Sequence, residues 1–166
     1  MPKRSAGLLV YRRRMASVPV DGRRVGPEGE PELLLAHPGG PFFARRDLGV
    51  WSIPKGEYDE SEPAESAAER EFAEEIGVVP PAGRRLDLGE VRQASGKLVR
   101  AFAVEGDIDV AGGMSNLFEM EWPPGSGKLQ LFPEVDRAEW FPAEQARHRL
   151  NPSQAVFVDR LLALLG

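Results

Sequence analysis

The sequence predicts a single α/β domain built on a mixed sheet, and three observations carry that prediction. Apolar runs of strand length, Ser5–Tyr11 and Glu32–Pro38, stand before a segment of helical periodicity. Strand patterns return after it at Arg85–Gln93 and Lys97–Asp107, and two further helical segments close the chain. Strands before, between and after helices suit one layered α/β unit. At 166 residues, 42% of them hydrophobic and 28% charged, the chain has enough apolar material for one core and too little length for two ordinary domains. Residues 1–166 are therefore read as one unit.

Each element has its own local reason. "SAGLLVY" is a compact apolar run that reads as a buried strand. The Gly-, Pro- and charge-rich stretch of about 15–31 reads as an exposed loop or hairpin tip. "ELLLAHP" is a second buried strand, stopped by "HPGGP", and a short strand is expected around Val50–Ile53 before Pro54. From about Ser61 to Ile76 the apolar positions Ala64, Ala67, Ala68, Phe72 and Ile76 recur at three- and four-residue spacing. Pro63 suits the first turn of that helix, where its missing N–H costs nothing, and Gly77 supplies the stop. The two later strand patterns are joined by "ASG" as a hairpin. An insertion of about 111–128 follows, with short strands around Leu117–Trp122 and Leu129–Phe132. "FPAEQARHRL" and "NPSQAVFVDRLLALL" read as helices, the second with Asn151 as N-cap and Pro152 after it.

Composition excludes several function classes. A net charge of −5 argues against general affinity for nucleic acid or anionic membranes, and no stretch approaches the length of a membrane span. The absence of cysteine removes disulfides, thiolate metal sites and cysteine nucleophiles, and fits a reducing cytoplasm. The apolar run near the N-terminus is too short for a signal peptide and ends in three arginines. "GSGK" at 125–128 is not a phosphate loop, since Trp122 replaces its upstream glycine and Leu129 its Ser/Thr.

The chemistry concentrates in the acid-rich stretch Lys55–Val78. An acidic helix face is ordinarily solvated and silent. Here Glu71 and Glu75 fall on the side of the helix that carries Ala64, and Glu74 near Ala67, at about 100° per residue. Three carboxylates directed at the protein body repel one another unless cations lie between them. Their spacing brings them within reach of one cluster, and hard oxygen donors suit Mg²⁺ or Mn²⁺ rather than zinc. Gly56 allows close backbone approach, and Lys55 offers a point charge to a phosphate. Glu60, Glu65 and Glu69 have no such claim.

These residues resemble the Nudix hydrolase signature. Gly56, five residues, Glu62, seven residues and then Arg70-Glu71-Phe72-Ala73-Glu74-Glu75-Ile76-Gly77-Val78 reproduce its box over 56–78. The resemblance implies an α/β/α sandwich around the mixed sheet, covering nearly the whole chain. It implies metal ligation by Glu71, Glu74 and Glu75, assisted by a backbone carbonyl at Lys55 or Gly56, with more than one Mg²⁺ or Mn²⁺ ion. Glu62 and Arg70 resemble the pair that braces loop and helix. Members often add a downstream glutamate six residues before a tryptophan, which here is Glu134 before Trp140, with Glu119 and Glu121 as rivals.

The implied reaction is hydrolysis of a diphosphate linkage in a nucleoside diphosphate joined to another group, with Glu71, Glu75 and Glu134 as candidate bases. A small-molecule substrate is expected, in a monomer or homodimer. Diphosphoinositol polyphosphates or an RNA 5′ end are alternative substrates, and a nucleotide sensor that does not cut is the alternative role. Lys55, Arg45 and Arg46 are candidate phosphate contacts, although an exposed loop is the ordinary reading of the two arginines. The insertion is expected to border the pocket and tune specificity. His37, one of two histidines, is read as structural before it is read as a substrate contact.

Overall fold

The computed structural model describes residues 2–13 and 30–166. Most of the expected loop of about 15–31 lies outside them. The elements are β1 (Arg4–Arg13), β2 (Pro31–Pro38), β3 (Lys55–Glu57), α1 (Ala64–Ile76), β4 (Leu86–Arg92), β5 (Leu98–Glu105), β6 (Leu117–Glu121), β7 (Leu129–Pro133), β8 (Val135–Pro142), α2 (Ala143–Arg149) and α3 (Ala155–Leu165). A 3-10 turn, Pro152–Gln154, leads into α3, and the Asn151 side chain accepts from Ser153 N–H.

The main sheet runs β4-β5-β1-β2-β8, with β3 also paired to β1. The β1–β5 pair is parallel and the others are antiparallel, so the sheet is mixed. Its layers follow from side-chain alternation along β1. Ala6, Leu8 and Val10 pack with Ala67, Ala68, Phe72 and Ile76 of α1, whereas Leu9 and Tyr11 pack with Phe157, Val158 and Leu161 of α3 and Ala146 of α2. One helix on one face and two on the other make the expected α/β/α sandwich. Burying side chains such as Phe72 or Leu161 contributes about 1.5–3 kcal/mol each.

The two partners of β1 on its β2 side divide its length. β2 pairs with Tyr11–Arg13 and β3 with Ser5–Gly7. The sheet therefore splits between them, and β3 sets Gly56 against α1. The expected strand at Val50–Ile53 is corrected. Trp51 and Ser52 make only isolated bridges, and the strand proper comes later, at Lys55–Glu57. Ser52 exchanges both backbone bonds with Ala36, while Trp51 bonds to Arg149 and Asn151, so this segment crosses between elements instead of following one. α1 begins at Ala64 with Pro63 as its cap residue, slightly later than the sequence suggests, and ends at Gly77 in a left-handed conformation.

β8 was not legible in the sequence. Its pairing with β2 hides Trp140 and Phe141 on opposite faces, but Asp136, Arg137 and Glu139 face solvent on this sheet edge. Charged residues are common on such edges, and they obscure the apolar alternation. β6 and β7 pair only with each other and form a separate two-stranded sheet.

Candidate active site

Glu71, Glu74, Glu75 and Glu134 meet in one cleft of about 400 Å³, beside Lys55, Gly56 and Glu57. The first three come from the C-terminal half of α1, and Glu134 from the junction of β7 and β8. Backbone bonds hold the junction in register with the helix. Asn116 N–H donates to the Glu74 carbonyl at 3.2 Å, Glu134 N–H to the Asn116 carbonyl at 2.9 Å, and Gly39 N–H to the Glu134 carbonyl at 2.9 Å. An added Cβ at Gly39 would overlap the Pro133 carbonyl, so this approach requires glycine.

Gly56 makes the same kind of allowance for the acids. A Cβ there would overlap the Glu71 carboxylate. One residue away, Lys55 N–H donates to Glu75 Oε2 at 3.0 Å, tying the lead-in strand to the helix. Arg70 lies among the acids: its Nη1 is 2.8 Å from Glu71 Oε1 and 3.4 Å from each Glu74 oxygen. Its Nη2 and Nε bond Glu62 at 2.5 and 3.3 Å. Arg70 thus joins Glu62, as the sequence suggests, and also neutralises two acids of the cluster, which the sequence did not reveal.

Among the described residues, no three Asp, Glu or His side chains already converge on a single cation position. The guanidinium occupies part of that space and supplies the positive charge the acids need. The donors nevertheless fit a hard divalent cation. They are all oxygen, they share one cleft, and the backbone at Gly56 stands bare beside Glu71. Such an ion would be held by Glu71, Glu74 and Glu75, beside the Arg70 guanidinium that also bonds Glu62.

The electrostatics are strained in the direction that favours cation uptake. Burial pushes the Glu75 carboxyl up to about 8, against the pull of Lys55 N–H and the Lys55 charge. Burial also raises Glu71, partly offset by Arg70, with Glu74 and Glu134 raising it further. Burial and the nearby Lys97 lower Lys55. Between its ordinary 4.5 and about 8, Glu75 is protonated when folded and ionised when unfolded. Its contribution is whole below 4.5 and is lost as pH rises through about 8. The metal-free protein should therefore lose on the order of 5 kcal/mol across that window from this group. Thermal melts of wild type and Glu75→Gln at several pH values check this, since the Gln variant should show a flatter profile.

The remaining candidates lie elsewhere. Arg45 and Arg46 sit in the loop after β2 and line neither this cleft nor the larger one beside it. Arg46 covers the Phe43 ring at 5.7 Å, and its carbonyl accepts from His37 Nε2 at 2.7 Å. His37 is buried, with Nδ1 at 2.8 Å from Asp136, and links β2, β8 and that loop. Glu119 and Glu121 stand on β6 outside the cleft, with Glu121 accepting from Gly127 N–H. Asn116, Ser5 and Lys97 also line the cleft and were missed, because no local pattern brings them to α1.

A cleft of about 780 Å³ adjoins the first at Glu75. Residues 111–113 and 115 form part of its wall, while the β6–β7 hairpin stands off it. Its floor includes Trp140, one face of which is covered by the Arg12 guanidinium at 4.1 Å. Arg12 is held there by Glu32 and Asp107, each at 2.8 Å.

The fold and box agree with comparisons to known proteins. The family model described as NUDIX domain matches residues 12–161. No curated protein matches the chain. An Ap4A hydrolase of C. elegans, solved as a binary complex, superposes with a TM-score of 0.60 at 21% identity, covering 98% of this chain and 97% of that one. The NUDIX domain of Shewanella oneidensis NrtR, solved with ADP ribose, gives 0.59 at 16% identity, over 100% and 90%. A mutT/nudix family protein from Listeria innocua gives 0.59 at 17%, over 99% and 95%. With its box folded into a loop–helix cleft and the domain matched over most of its length, the chain belongs to the Nudix family.

Proposed function

We propose that the protein is a Mg²⁺- or Mn²⁺-dependent hydrolase that cleaves a diphosphate linkage in a nucleotide-type small molecule. The observation that carries this reading is the meeting of Glu71, Glu74, Glu75 and Glu134 in one cleft, with no box acid missing. Divalent cations bound there would neutralise the diphosphate and lower the pKa of an attacking water. Lys55 stands at the same cleft to meet phosphate oxygens. The adjoining cleft, with Trp140 and Arg12, has room for the group carried by the diphosphate. Solved Nudix proteins in complex with ADP ribose or acting on Ap4A support a nucleotide-type substrate. A cysteine-free chain of this kind suits the cytoplasm.

Among the three candidate bases, Glu134 is the least engaged. Glu71 is held by Arg70 and Glu75 by Lys55 N–H, whereas the exposed Glu134 side chain makes no ion pair among the described residues. It is therefore the carboxylate with both oxygens open to a water proton. Glu134→Gln should slow turnover more than Glu119→Gln or Glu121→Gln. The opposite order in steady-state kinetics would place the base or fourth ligand on β6.

The reading as a whole is tested by incubating the protein with dinucleoside polyphosphates, nucleotide sugars, triphosphorylated RNA ends and diphosphoinositol polyphosphates, with Mg²⁺ or Mn²⁺. Metal-dependent release of a nucleotide or phosphate, identified by mass, is the expected result. Nucleotide binding without any product would instead assign a sensor.

A further inference from the structure

The β6–β7 hairpin stands apart from the main sheet, and its two strands differ in a way that the acid cleft does not explain. Register puts Leu117, Glu119 and Glu121 of β6 on one face with Leu131 and Leu129 of β7. The opposite face carries Phe118 and Phe132, with ring centroids 6.1 Å apart. Phe118 lies over Gly40, and Trp122 at the end of β6 meets Phe42 edge-on at 5.4 Å. That second face therefore rests on the loop after β2. The first is open, with Leu117, Leu129 and Leu131 exposed by 55%, 65% and 63%.

Strands at sheet edges ordinarily carry charge, which discourages pairing with another chain. The end strands of the main sheet follow this rule: β4 has Asp87, Glu90 and Arg92, and β8 has Asp136, Arg137 and Glu139. β6 has Glu119 and Glu121. β7 has no charged residue, and among the described residues it pairs only with β6. Its backbone is also set for a partner. Trp122 N–H donates to the Lys128 carbonyl at 3.0 Å, and Glu134 N–H to the Asn116 carbonyl at 2.9 Å. The alternation of bonded and non-bonded pairs between those ends turns the backbone of Gln130 and Phe132 toward β6. It turns the N–H and C=O groups of Leu129 and Leu131 outward, to the open edge.

We propose that β7 pairs antiparallel with β7 of a second copy of this chain, centred on Gln130, so that two hairpins form one four-stranded sheet. Two-fold symmetry then places Leu129 of one copy opposite Leu131 of the other, and the outward backbone groups of both satisfy one another. The leucines of the two copies cover each other at the centre of the open face. Charge selects this edge over its neighbour. The same pairing through β6, centred on Met120, would set Glu119 opposite Glu121 on both sides of the axis. Through β7 these acids stay on the outer strands. The association does not depend on what the acid cleft hydrolyses, although the hairpin joins Asn116 to Glu134, which both line that cleft.

Sedimentation velocity over about 1–500 µM tests the association, a range suited to a small interface. Wild type should pass from monomer to dimer as concentration rises. In Leu129→Lys/Leu131→Lys the dimer should weaken about tenfold or more, with the Tm of wild type, since both positions are exposed. The cysteine-free sequence allows a test of register. Gln130→Cys places the two thiols across the axis in a non-bonded pair, at a spacing that a disulfide spans. Under mild oxidation this variant should form a covalent dimer about tenfold or more faster than Glu119→Cys on the outer strand. A wild type that stays monomeric throughout leaves the edge to a strand of another protein and overturns the proposal. So does a dimer that the Lys substitutions leave unchanged, or equal cross-linking of the two cysteine variants.

Discussion

Glu75→Gln is expected to lower turnover by about 10²–10⁴-fold while leaving the fold intact. The amide keeps the size and can still accept from Lys55 N–H, so the tie between β3 and α1 survives. What disappears is the charge. Glu75 is the most strongly desolvated acid of the cleft, with its carboxyl pushed up to about 8 by burial. In the metal-free protein the substitution should even raise Tm at pH 8, because it removes an ionisable group that the fold holds at a cost. The gain in Tm on adding Mg²⁺ should shrink at the same time. Near-normal activity in a protein that melts normally would remove Glu75 from the site.

The second large effect comes from a single methyl group. Gly56→Ala places a Cβ where the Glu71 carboxylate lies. The obstacle is the far end of a flexible side chain, so the fold can yield: Glu71 swings out and Arg70, bonded to it at 2.8 Å, goes with it. Tm should move by no more than a few degrees, yet metal affinity should fall about 10–100-fold. Turnover should fall by on the order of 10²-fold, because a ligand displaced by about 1 Å no longer positions the reacting groups. Metal titration followed by thermal shift separates the two readouts. Wild-type affinity in Gly56→Ala would mean that Glu71 is not a ligand.

How much of this was legible in the sequence depended on range. The helix from Ala64 to Ile76 could be read because three- and four-residue spacing is a local signal. β1 and β2 could be read because central strands buried on both faces are nearly all apolar. β8 could not, since an edge strand shows charge to solvent and hides only alternate residues. β3 was misplaced by a few residues, because its three positions gain strand geometry only from pairing with Ser5–Gly7.

The same division runs through the site. By itself the sequence determined the residue types at hand: carboxylates at helical spacing, a glycine where backbone comes close to Glu71, a lysine beside it, and the marks of one family. Only the tertiary structure decided which acids share a cleft, that Arg70 stands among them, and that Glu134 joins them while Glu119 and Glu121 do not. It alone brought Ser5, Lys97 and Asn116 to the same place from strands and loops far apart in the chain. The physical reason is that residue type and spacing fix what a side chain can donate, whereas charge, burial and distance depend on every element packed around it.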